Sequence, residues 1–235
     1  MSVKKIIAIA SAKGGVGKSS ITALLAANLS KNLKIGILDA DIYGPNQHIL
    51  FDVENSKPEV TDINGSKKFI PVTVQNNIKI NSMGFILDNE KAAIWRGPML
   101  SGAIKQLMDS TIWDDLDILF VDMPPGTGDA YLTVSSEIQP DHAILITTPN
   151  KLAIHDTLKS LSTFSKLKTN VLGFIENNLF QQNVKQSYSD LVSSNTKFIG
   201  SLSFDDSIHN FDFFRSNEEI NHITSYLLEL LNESN

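Results

Sequence analysis

Short apolar, β-branched runs alternate along the chain with longer stretches whose hydrophobic positions recur every three to four residues. The runs Ile6–Ala10, Lys34–Leu38, Ile78–Asn81, Ile118–Val121, Ala143–Thr147, Val171–Glu176 and Lys197–Ile199 predict strands. Most are apolar throughout rather than alternating in and out, as strands covered on both faces are. Helices are predicted over Lys18–Lys31, Pro98–Ser110, Lys151–Lys168 and Val184–Ser194. Strand and helix in turn describe βαβ units, hence an α/β fold with a mostly parallel, twisted sheet and helices on both faces. Phe51 to Gln75 is polar and carries Pro58 and Gly65, which predicts irregular structure or a short hairpin. No internal repeat, low-complexity linker or compositional break divides the 235 residues. The pattern therefore predicts a single domain over 1–235, with no separate N-terminal domain.

Charge narrows the classes of partner. The net charge is −6, and from Asp141 to Asn235 seven lysines and arginines stand against eleven aspartates and glutamates. An acidic field of this kind repels phosphate backbones and argues against a nucleic-acid partner. Between Asn217 and Asn235, Ile220, Ile223, Tyr226, Leu227, Leu230 and Leu231 recur at helical spacing, but the interleaved charges are Glu218, Glu219, Glu229 and Glu233. Helices that lie on anionic membranes carry lysine and arginine instead, so this segment is expected to pack on the domain. No apolar run approaches the roughly 20 residues that cross a bilayer. The chain enters a strand at once without a signal-peptide pattern, which points to the cytoplasm.

The candidate chemistry begins directly after the first strand. Ala12-Lys13-Gly14-Gly15-Val16-Gly17-Lys18-Ser19 links that strand to the first helix, with Ser20 following. Backbone N–H groups converge on phosphate oxygens where side chains are missing, as at Gly14, Gly15 and Gly17, and the helix N-terminus aims its positive end at the same oxygens. Lys18 supplies a positive charge for the β- and γ-phosphates, and the Ser19 hydroxyl suits Mg²⁺. Lys13, five residues before Lys18, makes the pattern K-G-G-x-G-K-S. Its place beside a triphosphate suits stabilisation of transition-state charge.

Two acidic strand ends complete the set. Leu38-Asp39-Ala40-Asp41-Ile42-Tyr43-Gly44-Pro45-Asn46 places two carboxylates where a parallel sheet builds its sites. Asp39 is expected to support the loop or the water shell of Mg²⁺, and Asp41 to orient the attacking water. Ile118-Leu119-Phe120-Val121 runs into Asp122-Met123-Pro124-Pro125-Gly126-Thr127-Gly128-Asp129. There Asp122 is expected to hold Mg²⁺ directly or through water. Pro125, Gly126, Thr127 and Gly128 would form a switch that answers to the γ-phosphate, the glycines offering amides and the proline stiffness. The five histidines show no metal-ligand spacing.

With its doubled lysine, the phosphate loop resembles the MinD/ParA/Mrp superclass of P-loop ATPases, of the SIMIBI type. The combination of Lys13–Ser20, Asp39–Asn46, Trp95–Met99 (Trp-Arg-Gly-Pro-Met) and Asp122–Asp129 resembles its Mrp/ApbC branch of iron–sulfur cluster carriers, and Gly173–Asn177 (Gly-Phe-Ile-Glu-Asn) matches more weakly. The resemblance runs to about residue 177. It implies ATP and Mg²⁺ as ligands, slow hydrolysis to ADP and phosphate, and a homodimer with ATP at the interface. In that arrangement Lys13 would reach the partner's nucleotide. Asn177 would contact adenine, and the partners would be iron–sulfur assembly or client proteins. The same residues also suit a MinD/ParA-like positioning ATPase, or an interaction protein that uses ATP only to set its dimer state.

One family feature is missing. Mrp/ApbC carriers place a Cys-x-x-Cys pair shortly after the Glu-Asn element, whereas here Asn178 to Ser187 reads Asn-Leu-Phe-Gln-Gln-Asn-Val-Lys-Gln-Ser. The chain has no cysteine at all. Clusters are held mainly by thiolates, and amide groups bind soft iron–sulfur units poorly, so the sequence argues against a cluster held by this chain itself. Ser201-Leu202-Ser203-Phe204-Asp205 also lacks the family's proline.

Overall fold

The computed structural model describes residues 3–85, 98–178, 188, 191–192, 194, 196–215 and 217–234. In chain order the elements are β1 (Val3–Ala10), α1 (Lys18–Leu29), β2 (Ile35–Asp39), α2 (Gln47–Leu50), β3 (Glu59–Ile63), β4 (Ser66–Ile70), β5 (Val72–Thr73), β6 (Lys79–Ser82), α3 (Pro98–Ser110), β7 (Leu116–Asp122), α4 (Asp129–Ile138), β8 (His142–Thr147), α5 (Lys151–Lys166), β9 (Asn170–Asn178), β10 (Phe198–Ser203), α6 (Asp206–His209) and α7 (Glu218–Glu233).

Among the described residues the main sheet has eight strands in the order β10-β9-β8-β1-β7-β2-β6-β5, of which only the short edge strand β5 runs antiparallel to its neighbour. β1 lies between β7 and β8, so the chain crosses from one side of β1 to the other between those strands. Loops that follow parallel strands at such a reversal diverge and leave a crevice at the carboxyl edge. The ends of β1, β2, β7, β9 and β10 share that edge.

Alternation along β1 feeds two cores. Ile7 and Ile9 pack with α1 residues such as Leu24 and with Ile220, Ile223 and Leu227 of α7. Ala8 and Ala10 face the opposite layer, with Ile104 of α3, Tyr131 of α4 and Phe164 of α5. Each fully buried large apolar side chain contributes about 1.5–3 kcal/mol, so both layers hold the sheet. The terminal helix is docked as its pattern predicts, with Ile220, Ile223, Leu227, Leu230 and Leu231 buried.

Some expectations need correction. The helix α4 has no counterpart among the predicted ones, because it starts inside the Pro-Gly-rich run, with Gly128 at its N-cap and no side-chain cap. β10 extends to Ser203 rather than ending at Ile199, carried by its pairing with Glu176–Asn178 of β9. The Phe51–Gln75 region, by contrast, holds the short hairpin its composition predicts, β3–β4, which is antiparallel and outside the main sheet. Most of the predicted helix Val184–Ser194, and Trp95, Arg96 and Gly97, lie outside the described residues.

Candidate functional site

The loop from Ser11 to Gly17 leaves β1 and turns into α1 through left-handed backbone at Gly15 (φ +78°) and Gly17 (φ +84°). At Gly17 an added Cβ would lie 2.2 Å from the Asn177 amide nitrogen. Glycine is thus required there twice, by backbone angle and by space. α1 opens with neither a side-chain cap nor an acidic residue in its first turn. By contrast α5, α6 and α7 are capped by the side chains of Asn150, Asp205 and Asn217. Uncapped N–H groups at a helix N-terminus are what an anion needs.

Behind the loop the acidic ends of β2 and β7 meet. Asp39 and Asp122 are neighbours across the β2–β7 pairing and both are fully buried. The Lys18 ammonium, itself buried, forms an ion pair with Asp122 Oδ1 and lies 3.4 Å from the Ser19 hydroxyl. Asp122 Oδ2 accepts from Gln47 Nε2 at 2.7 Å, and the same nitrogen donates to the Ser19 carbonyl at 3.0 Å. Asp39 Oδ2 accepts from the backbone N–H of Asn46 (2.9 Å) and Gln47 (3.0 Å) and from the Ser82 hydroxyl (2.9 Å). Burial, and then the charge of Asp122, push the Asp39 carboxyl up to about 7 against those hydrogen bonds. Asp41 is held by the N–H groups of Tyr43 and Gly44, each at 3.2 Å from Oδ1, and burial raises its carboxyl against the pull of Lys18.

The loop from Pro125 to Gly128 touches the glycine-rich loop before α1 directly. The Gly126 N–H donates to the Ser11 carbonyl at 2.9 Å, and an added Cβ on Gly14 would lie 4.0 Å from Pro125 Cβ. Gly126 has φ +91° and Gly128 forms the N-cap of α4, with Thr127 between them. Lys13 sits apart from this cluster: half exposed, it pairs with Asp156 of α5 in the same chain at 3.5 Å.

Two adjoining cavities follow from this arrangement. An open cleft of about 550 Å³ is lined by Lys13, Gly14, Gly15, Lys18, Ser19 and Asp41, among others. A smaller cavity of about 120 Å³ continues past Gly17 and Ser20 to Asn177, Phe204, His209 and Phe211. Gly17, Ser20 and Phe211 line both. Asn177 is buried and donates from Nδ2 to the Val16 carbonyl at 2.9 Å. Five side chains that the sequence reading does not single out belong here: Gln47, Ser82, Phe204, His209 and Phe211. Phe211 is half exposed with φ +63°, an unusual conformation for a bulky residue. An aromatic-rich stretch from Phe204 to Phe214 is the only sequence signal for that wall.

The donor set suits Mg²⁺: the Ser19 hydroxyl and the carboxylates of Asp39 and Asp122, with the Asp41 carboxylate on the same sheet edge and a buried Gln47 Oε1 that has no hydrogen-bond donor among the described residues. All are hard oxygens. Among the described residues no three histidine, cysteine, aspartate or glutamate side chains form a metal cage by themselves. Mg²⁺ commonly uses one or two carboxylates together with substrate phosphates and water rather than an all-protein cage. A cluster finds no such fit, since the chain offers no thiolate. Among the described residues no helix is long and apolar enough to cross a membrane.

Comparison with known proteins agrees with the geometry. The family model of ParA, described as NUBPL iron-transfer P-loop NTPase, matches residues 2–207. The iron-sulfur cluster carrier protein of Pseudomonas fragi is 45% identical over 177 residues, which cover 74% of this chain and 60% of that protein. The chain spans about half the length of the curated relatives it matches. A nucleotide-binding protein of Archaeoglobus fulgidus, solved in complex with ADP, is 32% identical with a TM-score of 0.75, over 95% of this chain and 89% of that one. MinD of Pyrococcus horikoshii, complexed with Mg-ADP, shares the fold at 19% identity and a TM-score of 0.74, over 98% of both chains.

Proposed function

The chain belongs to the ParA family of iron-transfer P-loop NTPases, and from that premise we propose that it binds Mg-ATP in the cleft around Lys18 and hydrolyses it slowly. Its role would be that of a dimeric, nucleotide-driven switch in iron–sulfur cluster assembly or transfer. The observation that carries this reading is the convergence of an uncapped α1, Lys18 and three aspartates on one sheet edge. In this role Gly14, Gly15, Val16, Gly17 and Ser20 present the backbone to the phosphates. Lys18 exchanges its buried partner Asp122 for phosphate oxygens. Asn177 keeps a carbonyl and a second amide hydrogen for the adenine edge, having given one hydrogen to Val16.

Ser19, Asp39 and Asp122 would hold Mg²⁺, directly or through water. The metal, when bound, neutralises charge on the β- and γ-phosphates. Asp41 orients the attacking water, and its raised carboxyl pKa makes it the better proton acceptor. Lys13, released from Asp156, supplies positive charge across a homodimer interface to the partner's nucleotide. Pro125, Gly126, Thr127 and Gly128 respond to the γ-phosphate by exchanging the Gly126–Ser11 backbone bond for phosphate contact. Cluster chemistry would rest on thiolates supplied by partner proteins.

Calorimetric titration of ATP with Mg²⁺, together with phosphate release, tests the reading. Wild type should bind and turn over ATP, Asp41→Asn should bind without turnover, and Lys18→Ala should lose binding. A Lys18→Ala protein with wild-type ATP affinity would refute the assignment. Anaerobic reconstitution with iron and sulfide tests the cargo: a stable, stoichiometric cluster on this chain would overturn the thiolate argument.

A further inference from the structure

Gln47 lies in α2, just beyond the Asp39–Asn46 run, and is fully buried. Its backbone N–H binds Asp39, and its side-chain nitrogen binds both Asp122 Oδ2 and the Ser19 carbonyl. One residue thus ties together three proposed metal ligands, from the ends of β2 and β7 and the start of α1. The two acceptors fix which way the amide faces. Turning it over would set its carbonyl oxygen against a carboxylate and a carbonyl, with no hydrogen between them. Both hydrogens on Nε2 are therefore spent, and Oε1 is left buried with no donor among the described residues.

A purely structural strut would not need that oxygen. The two donated bonds account for the nitrogen, but an unpaired buried acceptor is unfavourable unless something donates to it. With Lys18 on Oδ1 and Gln47 on Oδ2, each oxygen of Asp122 already has a donor. The group missing from the cluster is an O–H donor or a cation beside Ser19 and Asp122. A divalent ion with its water shell supplies both. We propose that Gln47 is a positioning residue of the metal site, holding Asp122 and Ser19 in place while its Oε1 accepts a hydrogen bond from a metal-bound water. This rests on the Mg-nucleotide reading of the cleft.

The test separates metal affinity from nucleotide affinity. Mn²⁺ is titrated by electron paramagnetic resonance into wild type, Gln47→Met and Gln47→Asn, each saturated with a non-hydrolysable ATP analogue. The analogue is also titrated alone, in chelator. Loss of an outer-shell partner commonly lowers metal affinity about 10–100-fold. Both variants should show at least the lower figure, with metal-free analogue affinity within about twofold of wild type. Unchanged Mn²⁺ affinity would overturn the proposal. So would an equal loss of metal-free affinity, or failure of both variants to fold, since Gln47 would then be a strut for the loop. A wild-type protein that binds no analogue, with or without metal, would instead overturn the nucleotide reading itself and this inference with it.

Discussion

The Lys18 ammonium and the Asp122 carboxylate form an ion pair from which water is nearly excluded, although both residues are proposed to serve a nucleotide. The pair draws the phosphate loop onto the end of β7, and Gln47 completes the carboxylate's partners. Removing one member of a buried pair strands the other charge and costs about 3–5 kcal/mol. Lys18→Met should therefore lower stability by about that amount in urea denaturation and abolish ATP binding. Lys18→Met combined with Asp122→Leu should regain most of the stability but none of the binding. Additive losses in that double-mutant cycle would show that the two residues are not coupled.

His142 opens β8 and is buried, with Nδ1 at 3.2 Å from Asn170 Nδ2 and Nε2 without a partner among the described residues. Burial, and then the charge of Lys5, lower its pKa below 6.5. Below that value the unfolded chain binds the proton more readily than the folded one. The contribution of His142 is therefore complete above about pH 6.5, and is lost as pH falls through that value toward the folded pKa. Thermal melts from pH 7.5 to 5 should show a steeper loss of stability in wild type than in His142→Gln. Parallel profiles would remove His142 as the cause.

Phe211 stands at the junction of the two cavities in left-handed backbone, with its ring 6.1 Å from that of Phe213. A half-exposed aromatic held in an unfavourable conformation is most simply explained as a platform for a nucleobase. Stacking of a base on an aromatic ring contributes about 1–3 kcal/mol. Phe211→Gly should thus weaken ATP at least about fivefold in calorimetry, and GTP equally, since every base has a π-face. Stability should change by less than about 1 kcal/mol, because glycine accepts φ +63° without strain. Unchanged nucleotide affinity would assign Phe211 to packing alone.

Much of this was legible in the sequence, for physical reasons. Ile6–Ala10, Lys18 and Asp122 follow local rules of strand, loop glycine and strand-end carboxylate, and the fold needs only βα alternation to place them on one edge. Gln47 and Ser82 were not legible, because a single glutamine or serine carries no periodic or charge signal. Their importance comes from hydrogen bonds to Asp122 and Asp39 across long sequence separations. α4 was hidden by the Pro-Gly-rich run before it, although Tyr131, Val134 and Ile138 have helical spacing. Lys13 was legible as chemistry but not as geometry, since nothing local in the chain announces Asp156 as its partner.

That partner gives the last prediction. Lys13 and Asp156 are 3.5 Å apart with nearly half of the lysine side chain exposed, and Lys159 also binds Asp156 at 2.9 Å. Exposed pairs of this kind contribute about 0.2–1 kcal/mol, so Asp156→Ala should leave stability almost unchanged. If Lys13 must leave Asp156 to reach a partner subunit's nucleotide, the same substitution removes a competing contact. Dimerisation in the presence of a non-hydrolysable ATP analogue should then tighten by a few-fold in sedimentation velocity, within the range that energy permits. Lys13→Ala should instead lose turnover and gain nothing from Asp156→Ala. A weaker dimer in Asp156→Ala would mean that Asp156 supports the assembled state, and that Lys13 acts without leaving it.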